Sequence, residues 1–239
     1  MCFQKDLQFE KFTNEFLWRY TDISQQLNIA EIVNYEDDSN SQFHGTDIII
    51  NTQLGRRTCD IKACAGLLPT FSFELLGRVD TDEDGWLINP QKTNDYLLLV
   101  YFVGLKKEWL NAGSVRLIQG YLVDKTRMLD YLISEMEYRS QRSFDALIRM
   151  VKKIREVAIN DGYKGKIYIP IKPKMTGYKE MTLLRGDYQQ ELAEMKDNIY
   201  LCISTRLPEV PVNVIVPRHL IVEQSEKCLY IRPKMVKEN

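Results

Sequence analysis

Two acids on opposite arms of one expected hairpin constrain this chain more than any other feature. Asp47-Ile48-Ile49-Ile50-Asn51 is a β-branched run that predicts a strand. Thr52-Gln53-Leu54-Gly55 predicts a turn, and Arg56 to Ala63 predicts the returning arm. That arm carries Asp60-Ile61-Lys62. Side chains alternate along a strand, so Asp60 and Lys62 share one face with Thr58. Cys59, Ile61 and Ala63 make the opposite, apolar face. Two carboxylates and an ammonium are therefore expected to meet at one point.

Glu194-Met195-Lys196 is a second acid-x-Lys match and serves as a control. It lies in Tyr188 to Lys196, which reads as a helix. Residues two apart on a helix diverge by about 200°, so that copy predicts a solvated face.

The chain has 239 residues, enough for one large domain or a domain with an extension. With 44% hydrophobic and 27% charged residues it reads as an ordinary globular protein. A net charge of -1 offers no overall basic signal, so any nucleic-acid contact needs a local patch. No apolar run approaches the roughly 20 residues of a membrane span, and Met1 to Asp6 lacks the order of a signal peptide. The five cysteines include no Cys-x-x-Cys pair, which predicts reduced thiols and a cytoplasmic location rather than a disulfide framework or zinc site. With only two histidines, His44 and His219, a histidine-rich metal centre is not expected.

Residues 7–28 read as an opening amphipathic helix, with Phe9, Phe12, Phe16, Leu17 and Tyr20 at helical spacing. Glu10 and Glu15 lie beside that stripe. A short strand is expected at Ile29 to Val33, a polar loop at Asn34 to Ser41, and a strand at Thr70 to Leu75, where Ser72 and Glu74 share a face. Asp80 to Asp84 reads as an exposed acidic loop lacking calcium-loop spacing. Leu97 to Val103 is continuously apolar and predicts a strand buried on both faces. Val115 to Val123 predicts a strand, and Asp124 to Met136 and Ser143 to Asn160 predict helices.

From Arg149 to Gly186 the basic residues outnumber the acidic ones, which are Glu156, Asp161 and Glu180. Lys152, Lys153, Arg155, Lys164, Lys166, Lys172 and Lys174 are the candidate phosphate contacts. Tyr163, Tyr168 and Tyr178 are interleaved and available for stacking. The alternative is a solvated basic face balancing the acidic loops.

The order of an opening helix, an acid-bearing strand, an Asp-x-Lys strand and a further buried strand resembles the PD-(D/E)xK nuclease superfamily. The resemblance covers roughly residues 7–123. It matches Asp47 to the first metal acid, Asp60 to the second and Lys62 to the lysine. Glu10, or else Glu15, stands where family members add a glutamate from the first helix. Thr46 replaces the proline of the motif. The resemblance implies Mg²⁺ or Mn²⁺ bound by Asp47, Asp60 and the carbonyl of Ile61. It also implies a water oriented by Lys62. Lys92 is a weaker candidate for phosphate contact.

The expected class is α/β: a mixed central sheet flanked by helices, a restriction-endonuclease-like core over 1–139, and a basic α+β extension over 140–239. The implied activity is metal-dependent hydrolysis of DNA, as an endonuclease or exonuclease. The alternative is a noncatalytic nuclease-fold protein binding nucleic acid or a protein. The expected partner is nucleic acid, DNA before RNA, with no membrane partner and with a homodimer left open.

Overall fold

The computed structural model describes residues 2–33, 45–106, 108–172 and 198–234, with side chains from residue 8 onward. It is a mixed α/β structure containing two sheets. Its contacts divide the chain into two compact units that interleave in sequence. Unit 1 comprises 1–68, 91–125 and 221–239; unit 2 comprises 69–90 and 126–220.

Unit 1 opens with α1 (Cys2–Tyr20) and α2 (Ile23–Gln26). The single helix expected over 7–28 is broken at Thr21, whose hydroxyl donates back to the Leu17 carbonyl at 2.5 Å and accepts from the Ile23 N–H at 3.1 Å. Its six strands are β1 (Ile29–Ile32), β2 (Ile48–Thr52), β3 (Gly55–Ala65), β5 (Tyr96–Val103), β6 (Leu117–Asp124) and β10 (Lys227–Ile231). They lie in the order β1-β2-β3-β5-β6-β10, all pairs antiparallel except β3 with β5. A two-residue turn joins β2 to β3. There Thr52 Oγ1 accepts from the Leu54 N–H at 3.1 Å and donates to the Gly55 carbonyl at 3.0 Å.

Phe9, Phe16 and Leu17 of α1 are buried in one cluster with Ile48, Ile50, Cys59, Leu98, Val100 and Phe102. Ile61 and Ala63 pack against it, so the apolar face expected for β3 is the face turned to this core. Phe9, Phe12 and Phe16 each meet the Phe102 ring edge-on, at centroid distances of 6.2, 5.9 and 5.6 Å. β5 is buried on both faces, as its unbroken apolar run predicts.

Unit 2 has a four-stranded antiparallel sheet ordered β4-β9-β8-β7. Its strands are β4 (Thr70–Leu76), β7 (Lys166–Pro170), β8 (Tyr200–Ser204) and β9 (Val212–Pro217). Most of α3 (Lys125–Ser140), all of α4 (Phe144–Asn160) and the start of α5 (Arg218–Gln224) belong to it. Ser143 caps α4 by accepting from the Ala146 N–H. Ser72 and Glu74 lie on β4, in this second sheet, whereas the Asp-x-Lys strand belongs to the first. The control Glu194-Met195-Lys196 and the expected loop at Asn34 to Ser41 fall outside the described residues. No described helix is long and apolar enough to cross a membrane.

Candidate active site

The convergence of Asp47 with Asp60 follows from strand register. β2 and β3 pair antiparallel up to Ile48↔Cys59, so the next residue on each arm flanks the same point. Asp47 stands one residue before β2, and its N–H donates to the Cys59 carbonyl at 2.9 Å. β3 runs on to Ala65, past the start of β2. Here the Asp47 side chain stands in for a ladder partner: its Oδ2 accepts from the Ile61 N–H at 2.5 Å. The carbonyl of a strand residue points to the same side as its own N–H, so the Ile61 carbonyl faces the Asp47 side as well.

Asp60 is buried, 5% exposed. Lys62 Nζ donates to its Oδ1 at 3.0 Å and lies 2.8 Å from its Oδ2 as an ion pair. The Asp47 and Asp60 carboxyls lie within hydrogen-bond contact of each other. Burial, then the adjacent Asp60 charge, push the Asp47 pKa well above the ordinary aspartate value, against the opposing pull of Lys62 and the Ile61 N–H. Burial works against the Lys62 ammonium, but Asp60, Asp47 and Glu10 outweigh it and hold its pKa above the usual lysine value.

Glu10 on α1 is exposed and within electrostatic reach of Lys62. Glu15 instead pairs with Arg19 one helical turn away, at 3.2 Å on the exposed surface. Of the two glutamates, Glu10 is the one whose charge acts on Lys62. Thr58 shares the Asp60 face as expected but is committed elsewhere. Its N–H and hydroxyl donate to Asp95 Oδ2 at 2.8 and 2.9 Å, tying β3 to the start of β5.

Gly45 opens the Gly-x-Asp that precedes β2, whereas Asn94 and Lys125 have no motif to announce them. Gly45 adopts φ +74°, the left-handed region glycine favours. A Cβ there would lie 3.3 Å from Asn94 Oδ1, 3.3 Å from Lys92 Cδ and 3.8 Å from Asp60 Oδ2. Asn94 is buried, and its Nδ2 donates to the Tyr96 carbonyl at 2.8 Å. Lys125, also buried, donates its ammonium to the Lys92 carbonyl and to Asn94 Oδ1. Lys92 thus stands at the wall of the site, beside Gly45. The long sequence separation of Asn94 and Lys125 from the acid pair hides them from local pattern reading.

The donor set suits a hard divalent cation. Asp47 and Asp60 offer carboxylate oxygens in contact, a buried like-charge pair that bound positive charge relieves. Among the described residues no group of three or more His, Cys, Asp or Glu converges. A cation held by these two acids would draw its remaining ligands from backbone oxygen and water, which suits Mg²⁺ because it keeps several waters.

The basic stretch divides on inspection. Arg155 is buried at 2% exposure, with Nη1 donating to the Gly77 carbonyl and Nη2 to Asp82, both at 3.3 Å. It lies on the buried stripe of α4 with Leu147, Val151, Ile154 and Ala158, which removes it from the phosphate-contacting surface expected for it. Lys152 also pairs with Asp82, at 2.6 Å. Lys153, Lys164, Lys166 and Lys172 are exposed. Lys174 and Tyr178 lie outside the described residues.

In comparisons with protein-family models, curated proteins and solved structures, none matches this chain.

Proposed function

We propose that this protein hydrolyses phosphodiester bonds in nucleic acid, DNA first, with a divalent cation held by Asp47 and Asp60 in a restriction-endonuclease-like core. The observation that carries the reading is the contact between these two carboxyls with the Lys62 ammonium 2.8 Å from Asp60. Bound Mg²⁺ or Mn²⁺ would supply positive charge to the reacting phosphate and lower the pKa of water at the site.

The residues of the chain supply the rest. Asp47 holds the Ile61 N–H and so fixes the strand edge on which the Ile61 carbonyl sits. Lys62 donates a hydrogen bond to the attacking water and offsets charge on the five-coordinate phosphorus. While Asp60 is its counter-ion, Lys62 Nζ keeps its proton. A cation that took up the Asp60 charge would loosen that hold, and Lys62 would have to release its proton to solvent before it could take one from water. Exposed Lys153, Lys164, Lys166 and Lys172 are available for phosphate contacts.

The test is nicking and cleavage of supercoiled, linear and single-stranded DNA with Mg²⁺ or Mn²⁺, comparing wild type with Asp60→Ala and Lys62→Ala. Metal-dependent cleavage lost in both variants supports the reading. Absence of cleavage by wild type, or cleavage persisting in both variants, removes this site as the catalyst and favours a noncatalytic binding role.

A further inference from the structure

Lys125 opens α3 and is 7% exposed. Burying an ammonium costs free energy, and an apolar side chain would fill the space at lower cost. Its ammonium and its backbone N–H are directed at one segment. The ammonium donates to the Lys92 carbonyl and to Asn94 Oδ1, and the Lys125 backbone N–H donates to the Asp95 carbonyl at 2.9 Å. Residues 92–95, just before β5, are thus gripped by both the side chain and the backbone of one residue.

The gripped segment and Asp60 border one point beside Gly45. Asn94 Oδ1, Lys92 Cδ and Asp60 Oδ2 all border the space that a side chain at Gly45 would enter, at 3.3, 3.3 and 3.8 Å from the position of its Cβ. Asp60 attracts the Lys125 charge, while burial, Lys62 and Lys92 oppose it. The balance leaves the Lys125 pKa at about 8, so the ammonium is largely charged at neutral pH.

We propose that Lys125 is a positioning residue of the acid pair: it holds residues 92–95 against Gly45 and so fixes the Asp60 carboxyl for cation binding. The inference rests on the reading of Asp47 and Asp60 as cation ligands. Partners that orient metal ligands from behind typically change metal affinity or activity about 10–100-fold when removed. A residue that only stabilises the fold changes the melting temperature and leaves affinity, measured well below melting, unchanged.

The experiment is calorimetric titration of Mn²⁺ into the full chain at low temperature, for wild type, Asp60→Asn, Lys125→Met and Asn94→Ala, with circular dichroism to identify folded variants. The expected result is binding lost in Asp60→Asn and weakened about tenfold or more in Lys125→Met and Asn94→Ala. If one of the last two fails to fold, the other decides. Binding lost in Asp60→Asn but within twofold of wild type in the folded wall variants overturns the role of Lys125 and leaves the acid pair standing. No binding by wild type, or undiminished binding by Asp60→Asn, overturns the acid pair itself.

Discussion

The Asp47 carboxylate accepts a 2.5 Å hydrogen bond from the Ile61 N–H, in the middle of the Asp-x-Lys tripeptide. One acid is thereby locked to the backbone of the strand that carries the other acid and the lysine. Asp47→Ala removes both the charge and that acceptor, while Asp47→Asn keeps an acceptor. In chelator, Asp47→Asn is expected to melt at or above the wild-type temperature, because it relieves a buried like-charge pair. It should also lose the stabilisation that saturating Mg²⁺ gives wild type, about 2.7 kcal/mol at one hundred times the dissociation constant. Thermal melts with and without Mg²⁺ measure both.

Gly45→Ala is expected to destabilise unit 1. A left-handed non-glycine residue costs about 1–2 kcal/mol, and the new methyl adds crowding against Asn94 and Lys92. A melting temperature lower by several degrees is the expected outcome. A melt identical to wild type contradicts the backbone conformation assigned to Gly45.

Lys125 gives a pH signature. Its folded-state pKa of about 8 lies below the unfolded lysine value of about 10.4. Between these values the unfolded chain holds a proton the folded chain has released, so stability rises with pH. The burial penalty is fully present below pH 8 and is relieved as pH climbs toward 10, on the order of 2 kcal/mol. Denaturant melts from pH 7 to 10 should show wild type gaining on Lys125→Met across that window. Parallel curves would contradict the depressed pKa.

Glu10→Gln and Glu15→Gln separate the two helix glutamates. The Glu10 charge acts on Lys62, so its neutralisation should slow Mg²⁺-dependent cleavage several-fold. The exposed Glu15–Arg19 pair contributes at most about 1 kcal/mol to stability, and its loss should leave cleavage unchanged. Single-turnover rates distinguish them.

Arg155→Ala should lower the melting temperature of the chain, with a loss on the order of 2 kcal/mol from lost packing and the lost Asp82 contact. Its DNA affinity should stay near that of wild type. Lys153→Glu with Lys164→Glu should weaken DNA binding and flatten its salt dependence, with little effect on the melt. Equilibrium binding at two salt concentrations checks both.

The legible part of this molecule was what local periodicity encodes. The β2–β3 hairpin, the doubly buried β5 and the two long helices α3 and α4 follow from runs of like spacing. The interleaving of the units does not, because leaving one sheet for another at Pro69 carries no composition signal. β7 and β8 are short strands flanking a long polar stretch, which masks their partnership. Asp47, Asp60 and Lys62 were readable because strand alternation and register alone bring them together. Lys125 and Asn94 were not, since their roles depend on long-range contacts. Arg155 had a readable signal that the count of basic charges obscured: it falls four residues after Val151 and three before Ala158, on the apolar face.

The most direct test is anomalous diffraction from crystals of the full chain soaked in Mn²⁺. The account predicts one anomalous peak within coordination distance of the Asp47 and Asp60 carboxyls, absent in Asp60→Asn. A Mn²⁺-soaked crystal with no peak there, and Lys62 still paired with Asp60, would contradict it.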